Sequence, residues 1–232
     1  MTLNNNSRLK TNLLIPVLEI NYNDESIPWP DQYPYWQHPD IWESYRKSCY
    51  QYAGFKDELI PYLKGSPFFK VSDLSDANLT KLVLDHTDDF RLGKFDRDQS
   101  SPLFGGFVLQ VDGQDQFFPQ CCGDLSDYRY WERLSMGLPS YYEGHPAPQI
   151  SFEKDGICFD FSVYDLSESF QPPPFATFLT IKQSALHQAV AKAKVELQAL
   201  EVRLNRINDQ QSLNIENIGG LLIWDNPNYD DP

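Results

Sequence analysis

The segment Phe104 to Trp131, FGGFVLQVDGQDQFFPQCCGDLSDYRYW, constrains the fold more than any other part of the chain. Two runs rich in β-branched and aromatic residues flank Asp112-Gly113, a pair typical of the two-residue type I′ turn, in which both central residues need positive φ. The segment therefore predicts a β-hairpin, with Leu109 opposite Gln116. Apolar side chains on both faces of the hairpin predict a central, covered position in a sheet.

Further elements follow from turn and capping residues. A second hairpin is predicted over residues 149–163, with its turn at Lys154-Asp155-Gly156. The run LLIPVLEI is predicted to be an edge strand because Pro16 cannot donate to a sheet in mid-strand. Two more strands are predicted at 175–181 and 221–224. Helices are predicted to begin at Pro39, at Ser75 or Asp76, and at Asp124 or Ser126, and to end near Gly54, Gly93 and Gly137.

The longest predicted element is a helix over residues 184–207. Its apolar positions are spaced alternately by four and three residues: Leu186, Val190, Ala193, Leu197, Leu200, Leu204 and Ile207. This spacing fits packing on a sheet and also fits a self-associating coiled coil. A parallel pair would set Glu196 against Glu201 of the second copy, a like-charge contact. The sequence thus predicts a monomer, or a weak dimer through this helix.

Together these elements predict an α+β fold in one domain spanning residues 1–232, since no linker stands out. A mostly antiparallel sheet is expected to contain both hairpins, 104–120 and 149–163, and to be covered by helices that include the long C-terminal amphipathic one. Residues 1–12 and 226–232 are expected to be flexible.

The charge balance narrows the classes of partner. Thirty-three acidic residues against nineteen Lys and Arg give a net charge of -14. Such a chain repels phosphate backbones and anionic lipids, so neither nucleic acid nor a membrane is an expected partner. The excess of negative charge either keeps the protein soluble or attracts a basic protein partner toward its binding surface. The N-terminus lacks the pattern of a signal peptide, so a cytoplasmic location with reduced cysteines is expected.

Two adjacent cysteines are the first candidates for chemistry. Cys121 or Cys122 could act as a nucleophile activated by a following helix N-terminus, with His86 or His145 as base and Asp124 as orienting residue. Zinc bound by these cysteines with Cys158 and a histidine is a weaker alternative, because adjacent cysteines do not readily converge on one tetrahedral ion. No cofactor is therefore expected.

A second candidate site is the run Asp85-His86-Thr87-Asp88-Asp89. Carboxylates at helical spacing with a histidine can hold a hard divalent cation, so Asp85, His86, Asp88 and Asp89 are weak metal-ligand candidates. The alternative interpretation is a solvated helix end. Gly-rich phosphate loops, G-x-S-x-G, H-E-x-x-H and kinase signatures do not occur, which lowers the expectation of an enzyme.

The third candidate is an aromatic and acidic N-terminal surface. Tyrosine and tryptophan are favoured at protein interfaces because their rings are largely apolar and carry a polar atom. The expected partner-binding residues are Trp29, Tyr33, Tyr35 and Trp36 with Asp24, Glu25, Asp31, Asp40 and Glu43. Packing of these rings in the core is the alternative. In its acidic charge and aromatic surface the chain is similar in character to small bacterial immunity proteins, which neutralise a toxin by binding it.

Two functional hypotheses follow. The first is a non-catalytic interaction protein, of the immunity-inhibitor kind, that binds a basic protein partner through acidic and aromatic surface at residues 24–62, to which residues 85–89 could add. The second is a hydrolase that uses Cys121 or Cys122 with a histidine, or a metal held at residues 85–89. The second hypothesis requires a pocket on which these side chains converge.

Overall fold

The structure, a computed structural model, describes residues 12–162 and 168–225. It is an α+β fold with two antiparallel sheets. Its strands are β1 (Asn12–Glu19), β2 (Phe68–Lys70), β3 (Gly105–Val111), β4 (Gln114–Phe117), β5 (Gln149–Phe152), β6 (Gly156–Asp160) and β7 (Phe178–Lys182). Its α-helices are α1 (Pro39–Tyr52), α2 (Asp76–His86), α3 (Asp88–Arg91), α4 (Tyr128–Ser135) and α5 (Gln183–Gln210). Short 3₁₀ turns span Arg97–Gln99 and Leu125–Asp127, and a π-helical turn spans Gly220–Trp224.

The predicted common sheet for the two hairpins is wrong. The first sheet has the order β2-β1-β3-β4, and the second has the order β5-β6-β7. One cluster of buried apolar side chains nevertheless includes residues of both sheets. Within it, the rings of Phe117 in β4 and Phe161 after β6 are stacked with centroids 5.9 Å apart. The hairpins therefore share a core, although they do not share a sheet.

The first hairpin has the predicted turn and a corrected register. Asp112 and Gly113 both have positive φ, 53° and 79°, as a type I′ turn requires. A β-bulge shifts the pairing, so that Leu109 lies opposite Phe117 rather than Gln116. With Gln116 as the extra residue of β4, Phe117 joins Leu109 in one apolar cluster and Phe118 joins Val108 in another. β3 is central, as predicted, whereas β4 is the edge strand.

Pro16 does not place its strand at an edge, because β1 lies between β2 and β3. The Pro16 carbonyl accepts a hydrogen bond from the Val71 amide at 3.2 Å. In a strand, the N–H and C=O of one residue point to the same neighbour, so the missing donor of Pro16 also faces β2. The β2 ladder pairs only Val17 to Glu19. The proline therefore lies just beyond the end of the ladder, where no donor is needed.

The long helix α5 packs in the core and does not extend into solvent. All seven predicted seam residues are buried, and the helix packs mainly against β1 and α4. This confirms packing on a sheet, and it removes the seam as a surface for the predicted weak dimer. The predicted strand at 221–224 is instead the π-helical turn, whose Leu222 carbonyl accepts from the Leu103 amide at 3.0 Å.

The predicted flexible ends fall mostly outside the described residues, apart from Asn12, which begins β1. Val163 of the second predicted hairpin also lies outside them. The predicted helix starts are confirmed at Pro39, at Ser75 and after Asp124.

Candidate functional site

The two adjacent cysteines occupy the central positions of a tight turn. The Gly123 amide donates to the Gln120 carbonyl at 3.1 Å, and Cys122 has φ 69°. Positive φ at the third residue of a turn is characteristic of type II, which favours glycine or asparagine there. A cysteine in this conformation costs about 1–3 kcal/mol, a strain that tends to occur at functional sites.

Backbone contacts hold this turn against two other parts of the chain. The Gly123 carbonyl accepts from the Gly105 amide at 3.0 Å, which attaches the turn to the start of β3. A Cβ on Gly123 would lie 3.0 Å from the Gly105 carbonyl oxygen, so a larger residue would fit only if this backbone moved by a few tenths of an ångström. On the other side, the His145 amide donates to the Cys121 carbonyl at 3.1 Å. This bridge brings the histidine to the cysteines.

Four side chains form a continuous contact at the turn. The thiol sulfurs of Cys121 and Cys122 are 3.5 Å apart, and Cys122 Sγ lies 3.6 Å from Nε2 of His145. The sulfurs and a ring nitrogen of His145 all lie within 4.8 Å of one another. Nδ1 of His145 lies 2.8 Å from Oε2 of Glu168. Since an ionised carboxylate only accepts, Nδ1 donates to Glu168, and in the neutral imidazole Nε2 is then the acceptor that faces Cys122.

The cluster opens into a groove of about 420 Å³ that also contains the predicted aromatic residues. The groove is lined by Cys121, Cys122, His145 and Glu168 of the cluster, and also by the predicted aromatic residues Trp29, Tyr33, Tyr35 and Trp36. Trp29 and Tyr33 are 51% and 59% exposed. Arg46 and Trp42 line the same groove, and the guanidinium of Arg46 lies 5.3 Å from the ring centroid of Trp42, a cation–π contact. The structure thus places two candidate sets in one groove.

The acidic residues of this region have different surroundings. Asp24 Oδ1 accepts from both the hydroxyl and the amide of Ser26. These two hydrogen bonds lower the pKa of Asp24. Asp40 and Glu43 form ion pairs with Lys64. Glu25 and Asp31 are exposed. Their role in binding a partner stays a prediction.

Two predicted catalytic residues do not belong to the cluster. Asp124 is buried, and its Oδ1 accepts from the Ser126 amide and hydroxyl at 2.7 and 2.6 Å, so it caps the following 3₁₀ turn. Burial raises the pKa of Asp124 to about 6. His86 Nε2 contacts the Ser101 carbonyl oxygen at 2.8 Å beside a different groove, and burial lowers the pKa of its imidazole.

The predicted metal cluster at residues 85–89 is not assembled. Each carboxylate pairs with a different cation: Asp85 with Lys81, Asp88 with Arg91, and Asp89 with Lys94. Within residues 12–162 and 168–225, the one group of three or more metal-ligating side chains found together is Cys121, Cys122 and His145. Cys158 lies half-buried in β6 and is not part of it.

Asp124, and not a cysteine, caps the 3₁₀ turn that follows the cysteines. Asp124 already accepts from the Ser126 amide there. The hydrogen bond with Cys122, followed by burial, raises the pKa of the Cys121 thiol. Of the two thiols, that of Cys122 is the one within hydrogen-bonding distance of the His145 ring.

Sequence reasoning missed Glu168, which takes the orienting position assigned to Asp124. It lies in the polar run Ser167-Glu168-Ser169, far from the cysteines in sequence and without a motif. Its partner, His145, was one of two candidate bases. The backbone bridge between Cys121 and His145 selects it.

Comparison of the chain with protein-family models, with curated proteins and with solved structures finds no significant match in any of the three. In residues 12–162 and 168–225, no helix combines the length and the apolar character needed to cross a membrane. The fold and the groove therefore define the chain as an α+β protein with a cysteine–histidine cluster beside exposed aromatic rings.

Proposed function

We propose that this chain is a non-catalytic binding protein, whose groove between the aromatic segment and the Cys121-Cys122 turn receives a basic segment of a protein partner. An inhibitor of the bacterial immunity type would work in this way. The observation that carries the proposal is the exposure of Trp29 and Tyr33, more than half of each side chain, within one concave surface. Large aromatic rings left in solvent beside a groove are typical of interface hot spots.

Charge supports a basic occupant. The chain carries a net charge of -14, and the exposed carboxylates Glu25 and Asp31 flank Trp29 in the sequence. An arginine or lysine of the partner would gain from these carboxylates and from the faces of the aromatic rings. The contact of Arg46 with Trp42 is an intramolecular example of the same interaction.

The proposal is tested with a partner captured by the full chain from a lysate of its source cells, then identified and purified. Trp29→Ala and Tyr33→Ala should each raise the dissociation constant by about tenfold or more, as hot-spot residues do. The matched control is Phe175→Ala, which removes a ring that is more exposed than Trp29 and Tyr33 and lies outside the groove lining, so it should leave the affinity unchanged. Equal affinities of all three variants, or an acidic partner, would contradict the proposal.

A second candidate function is a cysteine-dependent hydrolase, favoured by the contact chain from Cys122 through His145 to Glu168. Nε2 would take the thiol proton, the thiolate would attack an acyl carbon, and the imidazolium would return the proton to the leaving group. Water would then hydrolyse the thioester. Glu168 would orient the ring and stabilise its positive charge.

Alkylation by iodoacetamide, followed by mass spectrometry at each cysteine across a range of pH, separates this candidate from the first. A nucleophilic Cys122 would be alkylated at pH values well below the free-thiol pKa of about 8.5, and this reactivity would be lost in His145→Ala. Cys158 serves as the internal reference. Thiols that all titrate near the free value would remove the hydrolase candidate.

A further inference from the structure

We propose that Cys121, Cys122 and His145 bind one Zn²⁺ ion through their two sulfurs and Nε2. Two thiolates and one imidazole form a soft donor set that suits zinc and excludes magnesium and calcium, which require oxygen ligands. The acidic run at residues 85–89 offers no comparable convergence, because its carboxylates pair with separate cations.

Two of the three distances between the donor atoms are close to the edges of a tetrahedral zinc centre. With Zn–S bonds near 2.3 Å and Zn–N bonds of 2.0–2.1 Å, tetrahedral geometry requires S···S edges of about 3.8 Å and S···N edges of about 3.6 Å. The sulfur–sulfur distance is 3.5 Å, and the distance from Cys122 Sγ to His145 Nε2 is 3.6 Å. The third edge, from Cys121 Sγ to the His145 ring, is at most 4.8 Å, so binding the ion requires the Cys121 side chain to move toward the ring by at most about 1.2 Å.

The backbone resolves the objection that adjacent cysteines cannot face one ion. In an extended strand, consecutive side chains point to opposite sides. Here Cys122 has the left-handed conformation, φ 69°, and its sulfur lies beside that of Cys121. The strained conformation is therefore the feature that makes the vicinal pair a chelating one.

Glu168 supplies the outer contact that zinc-bound histidines usually have. Its carboxylate accepts from Nδ1 of His145, which fixes the tautomer and leaves Nε2 for the metal. Both cysteines are exposed to the groove. Three protein ligands with a fourth position facing the groove leave a place for water, or for a donor atom of whatever the groove binds.

The test uses the full chain, reduced and stripped of metal, titrated with Zn²⁺ in competition with a chromophoric chelator. One equivalent should bind. Cys121→Ser and Cys122→Gly should weaken binding at least about 100-fold, because each removes a ligand, and Glu168→Gln should weaken it about 10- to 100-fold. Glycine suits the turn at position 122, so this variant keeps the fold. Cys158→Ser is the matched control and should bind like the wild type.

Two independent measurements identify the side chains that bind the metal. Co²⁺ in place of Zn²⁺ should give intense tetrahedral ligand-field bands and thiolate charge transfer, both lost in Cys122→Gly. Bound Zn²⁺ should also slow alkylation of Cys121 and Cys122 but not of Cys158. Stoichiometry below one, binding that survives loss of either cysteine, an octahedral Co²⁺ spectrum or affinity for Cu(I) alone would overturn the proposal. These readings need no partner, so they are independent of the proposed binding function.

Discussion

The carboxylate of Glu168 and the imidazole of His145 are joined by a 2.8 Å contact at Nδ1. This contact joins the segment that follows the second hairpin to the segment that follows α4. It orients the ring so that Nε2 faces the thiol of Cys122 at 3.6 Å. Both the hydrolase candidate and the proposed zinc site require this orientation.

The left-handed conformation of Cys122 has a measurable cost. Because glycine adopts positive φ without steric strain, Cys122→Gly should be more stable to urea than Cys122→Ala by about 1 kcal/mol. The matched pair is Cys121→Gly and Cys121→Ala, since Cys121 has no positive φ. There the order should reverse, with alanine the more stable. The same order at both positions would mean that Cys122 is not strained.

Asp127 should make stability depend on pH. It is buried, its Oδ2 lacks a hydrogen-bond partner, and burial followed by the charge of Asp124 raises its pKa well above the usual value. The folded state therefore favours the protonated carboxyl. Stability is full below the unfolded pKa and is lost as pH rises through the folded pKa.

Asp127→Asn should consequently raise the free energy of unfolding at neutral pH by roughly 1–3 kcal/mol, and much less near pH 4. Urea denaturation at several pH values measures this. Asp31→Asn, which changes an exposed carboxylate, is the control and should leave the pH dependence unchanged. A destabilised Asp127→Asn at neutral pH would show that the buried charge is compensated.

The buried seam of α5 predicts an asymmetric response to truncation. Leu197 is fully buried, whereas Val195, two residues earlier, is 63% exposed. Leu197→Ala should lower the free energy of unfolding by about 2–5 kcal/mol because it leaves a cavity. Val195→Ala should change it by less than about 0.5 kcal/mol. Equal effects of the two substitutions, measured by urea denaturation, would contradict the packing of α5 in the core.

If the groove binds a basic partner, association should slow as salt is added, because the Debye length shortens to about 8 Å at physiological ionic strength. Asp31→Lys should lower the association rate constant in stopped-flow or surface measurements more than Glu153→Lys does. Both substitutions change the net charge equally, and neither residue lines the groove itself. Asp31 lies in the sequence between the groove-lining rings of Trp29 and Tyr33, whereas Glu153 lies in the β5–β6 turn. Salt-independent association, or equal effects of the two reversals, would argue against electrostatic steering at the groove.

Short-range signals were the part of the fold that could be predicted. Asp112-Gly113 makes the predicted turn, and Ser75 accepts from the Asn78 amide as an N-cap. These features depend on a few neighbouring residues, which the sequence displays directly. The register beyond the turn could not be predicted, because the bulge after Leu109 places Phe117 and Phe118 in two apolar clusters that also contain residues far away in the sequence.

The candidate site was predicted only in its parts. The sequence identified Cys121, Cys122 and His145, but it gave equal weight to His86 and assigned Asp124 the position that Glu168 takes. Nothing local distinguishes these residues. His145 belongs to the cluster because a backbone bridge joins it to Cys121, and His86 has no such bridge.

The amino-acid sequence determined the α+β class, the turns, the helix starts and the apolar seam of α5, because each depends on spacing within a few turns of backbone. Only the structure decided that this seam packs on the sheet and not against a second copy. Tertiary structure determined that the hairpins form separate sheets over one core, and that the aromatic segment, the cysteine turn and Glu168 meet in one groove. Such contacts join residues far apart in the chain, and their stability depends on the packing of the whole core rather than on any local pattern.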